Sequence, residues 1–168
     1  MINIYKEKRE QRNIELRILI DKMLDDGNSF LDENFKDLDI VGYKYNVSEA
    51  MEELCLDKYE IIQLVEDYVI QILKSKSKFD KYIDKLREDS AKNIDLEYSD
   101  IANLAHKNLG VARNLRVRDA SIILEIVMHE TDLDYLQLCV KALEILAVKL
   151  SPKCAYDTLS LIRVKNSL

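Results

Sequence analysis

Glycine, proline and tryptophan are scarce in this chain of 168 residues, which has three Gly, one Pro and no Trp. Few residues are left to form tight turns between strands, and no stretch alternates apolar and polar residues as a half-buried strand would. Long apolar periodicities at helical spacing and a 33% share of charged residues complete an all-α pattern. Cysteine is sparse too. Cys55, Cys139 and Cys154 are odd in number, widely separated and without CxxC or Cys/His metal spacing, which argues against a disulfide framework and a structural zinc. They read as reduced thiols of a cytosolic protein.

Long hydrophobic runs are missing as well. The most apolar stretch, Ala120 to Met128, is short and interrupted by Glu125, and Lys6, Glu7, Lys8, Arg9 and Glu10 stand where a signal peptide needs an apolar core. The expectation is a cytoplasmic protein with no membrane segment. A further absence is local. With 31 acids in the chain, a window of 18 residues should hold about three, yet residues 101–118 hold none and carry Lys107, Arg113, Arg116 and Arg118. This basic stretch sits on a chain of net charge −6, whose acidic remainder argues against a nucleic-acid binder and for an anionic group near this segment alone.

Periodicity divides the chain into helices. A first helix from Asn3 to Asp26 is expected to close at Gly27, followed by a connector over 28–46 that is held by Phe30, Phe35 and Tyr43. A short helix from Val47 to Leu54 is opened by Ser48. Four longer ones are expected over 57–89, 96–115, 117–130 and 132–150, the last signalled by Thr131 and Asp134. Ser151 and Pro152 then form an N-cap and N1 pair for a terminal helix. Short turns between the four long segments favour an antiparallel up-down four-helix bundle over residues 47–150, flanked by 1–46 and 151–168.

His106 stands out within this frame. It lies in Ile101-Ala-Asn-Leu-Ala-His-Lys-Asn-Leu-Gly-Val-Ala-Arg-Asn-Leu115, four residues before Gly110, and a glycine inside a helix costs about 1 kcal/mol relative to alanine. At about 100° per residue, Ile101, Leu104, Ala105, Ala112 and Leu115 form an inward face. His106 then points to solvent on a strip with Asn103, Gly110 and Arg113. Asn108 faces inward and needs a hydrogen-bond partner. The reading is that something must come close to the histidine.

The register resembles the histidine phosphotransfer (HPt) family, whose hallmark is His-x-Leu-Lys-Gly followed by a small residue, an apolar residue and often a glycine that ends the helix. His106, Gly110, Ala112 and Leu115 match it, and Arg116 occupies the place of that last glycine. Asn108 and Leu109 replace the family's Leu and Lys. The resemblance covers residues 47–150. It implies that His106 is a phosphoacceptor exchanging a phosphoryl group with the aspartate of a response-regulator receiver domain, with a hybrid histidine kinase as a further partner. The magnesium belongs to the receiver, so this chain needs no cofactor or metal of its own.

Neutral imidazole is a competent nucleophile near pH 7, and phosphoryl transfer depends on positioning and charge neutralisation more than on elaborate protein chemistry. Gly110 would give the partner's loops access, and Arg113 or Lys107 would replace the missing lysine at the phosphate. Asn103 and Leu109 are expected as docking contacts. The alternative is a degenerate HPt-like module that docks a signalling partner without phosphotransfer, and residues 1–46 are open to a role in dimerisation. His129 fits a cation at a helix C-terminus better than a metal ligand, because Glu125 and His129 have no second Glu/His pair to complete a site.

Overall fold

The computed structural model describes residues 2–166, and within them the chain is helical with no strand. Seven helices follow one another: α1 (Ile2–Phe35), α2 (Val47–Leu54), α3 (Lys58–Ala91), α4 (Ser99–Asn114), α5 (Arg118–His129), α6 (Leu133–Leu150) and α7 (Pro152–Asn166). The all-α expectation holds.

α2, α3 and α6 begin where short polar side chains satisfy free amide groups, whereas α4 and α5 start after Tyr98 and Val117 without a side-chain cap. Asp57 opens α3 with a reciprocal capping box to Glu60, and Asp132 opens α6 by accepting from the amides of Asp134 and Tyr135. Asn46, not Ser48, caps α2, with its side chain accepting from Glu49 N at 3.0 Å. Pro152 takes the first position of α7, where its missing N–H costs nothing. Ser75 and Ser77 do not break α3, and Ser75 is buried.

The largest departure from expectation concerns Gly27. It does not end the first helix, which runs on to Phe35 and takes in residues 28–35 of the expected connector, about two turns. Gly27 instead lets α1 lie close on α6: a methyl group at its Cα would stand 2.7 Å from Ile145 Cγ2. Phe35, two turns on, is buried against the same helix and its ring meets Tyr135 at 5.6 Å. The true connector is 36–46, and Gly42 within it takes φ +80.

α3 packs on α4 and α6, and α5 also packs on α4 and α6, so these four helices are joined as a closed ring of neighbours. α1 lies on α6 and α7, α2 on α3, and α7 on α3, α1 and α6. One main apolar core joins all but α2, whose Ala50 forms a smaller cluster with Ile61 and Val65 of α3. Leu16, Ile20 and Leu31 of α1 belong to the same buried cluster as Ile72 of α3, Ile101 of α4, Ile123 of α5 and Leu136 of α6. Fully burying each such side chain contributes about 1.5–3 kcal/mol. Among the described residues no helix is long and apolar enough to cross a membrane.

Candidate functional site

α4 is held from within by Asn108, which is fully buried. Its Oδ1 accepts from Gln71 Nε2 of α3 at 3.0 Å, and its Nδ2 donates to Ser75 Oγ at 3.2 Å and to Leu104 O at 2.9 Å. The partner required of an inward asparagine is therefore supplied by α3. A network satisfied in this way fixes the rotation of α4 about its own axis.

That rotation turns His106 outward. It is exposed, and no hydrogen bond or ion pair joins its imidazole to any described residue. Gly110, one turn along, is exposed as well, and a methyl group on its Cα would meet nothing within 4 Å. Asn103, Lys107 and Arg113 share the exposed side. Leu109, expected as a docking contact, is only 3% exposed and joins the main core. The inward face of α4 is therefore broader than the five positions read from periodicity.

The basic stretch proves largely neutralised. Arg113 donates to Glu125 of α5 at 3.2 Å, Arg116 pairs with Glu53 and Arg118 pairs with Glu49, both on α2. The guanidinium of Arg116 also donates to the carbonyls of Arg113 and Asn114. Hydrogen bonding to Arg116 holds the Glu53 carboxyl below its usual range. The segment lacks acids in sequence because folding brings them from 12 to 69 positions away. No local pattern marks Glu49 and Glu53 as partners of these arginines.

The end of α4 is built with unusual care. Arg116 takes φ +64, its amide bonds Arg113 O at 3.1 Å and the amide of Val117 bonds Ala112 O at 2.9 Å, which together make a Schellman closure. The Tyr43 and Tyr45 hydroxyls donate to Arg116 O and Leu115 O at 3.0 and 2.8 Å. Sequence reading placed Tyr43 on the body but missed Tyr45 and this clamp. α1 does not roof His106, since it lies on α6 and α7 while α4 contacts α3 and α5, and His106 is exposed.

Beneath the clamp, Asp119 is 8% exposed in the first turn of α5 and lines a cavity of about 450 Å³ with Tyr43, Tyr45 and Lys149. Burial pushes its carboxyl up to about 6, against the opposing pull of its hydrogen bond from Ala120 N and the charge of Lys149. His129 is the last residue of α5. Among the described residues no group of three or more His, Cys, Asp or Glu is arranged to hold a metal ion. Cys55 is exposed, Cys154 half-buried and Cys139 buried, where desolvation raises the thiol to about 12.

The chain matches no family model, and neither curated proteins nor solved structures gave a match.

Proposed function

We propose that the protein is a phosphorelay carrier of the HPt type, in which His106 accepts a phosphoryl group from the aspartyl phosphate of a receiver domain and returns it to another. The carrying observation is the pair His106 and Gly110: an exposed imidazole with no internal partner, beside a glycine that leaves open space on the same side of a rigid helix. In the forward step an imidazole nitrogen attacks phosphorus, the N–P bond forms as the O–P bond to aspartate breaks, and the carboxylate leaves. The reverse step regenerates neutral histidine. The chemistry needs in-line approach and little else from this chain.

Two further features support the reading. The ring of α3, α4, α5 and α6 is compatible with an antiparallel four-helix bundle, the architecture the resemblance implies. Arg116 adopts the left-handed conformation at the place where the family often has glycine, so the backbone agrees even where the residue type does not. Cytoplasmic location follows from the same reading.

Incubation with phosphorylated receiver domains from the same organism tests it. Acid-labile phosphate should appear on the wild type and vanish in His106→Ala; absence of label on the wild type, or label undiminished in the variant, would exclude the relay.

A second reading, a docking module without phosphotransfer, is favoured by one specific observation. The lysine of the family hallmark is replaced by a buried leucine, and Arg113 is drawn toward Glu125. Under that reading a receiver domain binds wild type and His106→Ala equally well and neither is labelled.

A further inference from the structure

Among the described residues Asp119 is the only charged one buried in the interior. Burying a charge is costly unless it is paired. Its Oδ1 accepts from Ala120 N at 2.7 Å, and its other donor is its own amide, so both belong to the first turn of α5. No side chain donates to either oxygen. Lys149, the nearest cation to act on it, directs its Nζ to Asn28 Oδ1 at 2.6 Å, and the neighbouring Arg118 pairs with Glu49. The Tyr68 hydroxyl of α3 is buried without any hydrogen-bond partner, and the charge of Asp119 adds to burial in pushing it up. This part of the interior is short of donors and of a counter-ion.

Asp119 also lines open space. The cavity of about 450 Å³ beside it has apolar walls from Val47 of α2, Ile61 and Val65 of α3, and Leu146 and Leu150 of α6. That volume falls in the range of about 300–1,000 Å³ usual for small-molecule sites, which are mostly apolar with a few placed polar groups. Tyr43 and Tyr45 complete the wall, held in place by the bonds of their hydroxyls to the end of α4. The exposed charges of the lining, Lys44 and Glu66, are opposite in sign and cancel. The larger cavity of about 690 Å³ beside Gly27 differs on the deciding point: its half-buried acid, Glu144, already faces Lys76 at 3.8 Å.

We propose that the Asp119 cavity is a binding site for a small apolar molecule carrying one protonated amine. The ammonium pairs with the Asp119 carboxylate, and the hydrocarbon part lies against α2, α3 and α6. An anion would be set beside an unpaired carboxylate, and a neutral molecule would leave that charge without a counter-ion. A metal ion lacks ligands here, since no group of three or more His, Cys, Asp or Glu is gathered among the described residues. Lys149 weakens the site by like-charge repulsion but does not fill it.

Phenethylamine, phenethyl alcohol and phenylacetate share a ring and differ in charge, and titrating each into the isotope-labelled full chain at about pH 7.5 tests the proposal by backbone amide shifts. The amine should saturate shifts at residues 43–47 and 117–121, the alcohol should bind at least tenfold more weakly, and phenylacetate should not saturate. Asp119→Asn, with unchanged helical circular dichroism, should bind amine and alcohol alike. Lys149→Met, which removes the competing cation, should tighten the amine several-fold. An amine that does not saturate, or that binds Asp119→Asn as well as wild type through general attraction to an acidic chain, overturns the site. So does an amine bound no more tightly than the alcohol.

Discussion

The side-chain amide of Gln71 on α3 donates to the carbonyl oxygen of Asn108 on α4 at 3.0 Å, and Ser75 accepts from the other end of the same asparagine. A buried polar group at the centre of a helix pair is therefore fully engaged, and it sets which side of α4 faces outward. Removing one member should hurt more than replacing all of them.

Asn108→Ala strands Gln71 and Ser75 and opens a small void, with an expected loss of about 2–3 kcal/mol in urea unfolding. The triple variant Asn108→Leu/Gln71→Leu/Ser75→Ala replaces polar with apolar contacts and should recover most of that loss. A triple variant less stable than Asn108→Ala would show that packing, not hydrogen bonding, dominates this site.

Two glycine-to-alanine substitutions should have opposite signs. At Gly110 the new methyl group meets open space, so Gly110→Ala should gain about 0.5–1 kcal/mol from helix propensity. At Gly27 it would meet Ile145 Cγ2 on a buried side chain, and Gly27→Ala should lose about 1–3 kcal/mol as α1 is pushed from α6. Thermal melts of the two variants side by side suffice. If the relay reading holds, Gly110→Ala also slows labelling of His106 despite its higher stability.

The positive φ of Arg116 predicts a difference between two replacements. Both Arg116→Ala and Arg116→Gly lose the ion pair with Glu53 and the bonds to the carbonyls of Arg113 and Asn114. Only glycine adopts the left-handed conformation without steric cost, so the glycine variant should be more stable than the alanine variant by about 1 kcal/mol. Equal stabilities would mean that the α4 terminus relaxes into another closure.

Asp119 gives the protein a pH dependence of definite sign. Its carboxyl titrates near 6 when folded and near the ordinary aspartate value when unfolded, so between about pH 4 and 6 the folded state holds the proton more tightly. Stability should fall as pH rises through that window, by up to roughly 3 kcal/mol from this group. Asp119→Asn removes the titration: its unfolding midpoint relative to the wild type should climb from pH 4 to pH 7. A constant offset across that range would rule out Asp119 as the source.

Much of the fold was legible in the residues themselves. Apolar positions at helical spacing, Pro152 at the head of α7 and the acidic start of α3 follow from local chemistry, and so do the outward His106 and the inward Asn108, whereas α6 is capped by Asp132 and not by Thr131. Helix ends were less legible. α2, α3 and α4 each pass into a left-handed residue, Cys55, Asn93 and Arg116, none of which is the glycine that usually marks such a stop.

What the sequence by itself determined is a helical chain with one histidine on a polar strip beside a glycine, because burial of a periodic apolar face fixes both the element and its outward side. Tertiary structure decided what the glycines and charges are for. Gly27 became a close crossing rather than a stop, since only the approach of Ile145 makes its missing side chain matter. Leu109 went inside as a member of the main core, on an α4 that is packed between α3 and α5. The arginines beyond His106 met Glu49, Glu53 and Glu125 from other helices. Each of these depends on neighbours brought together across long stretches of chain, which no local spacing encodes.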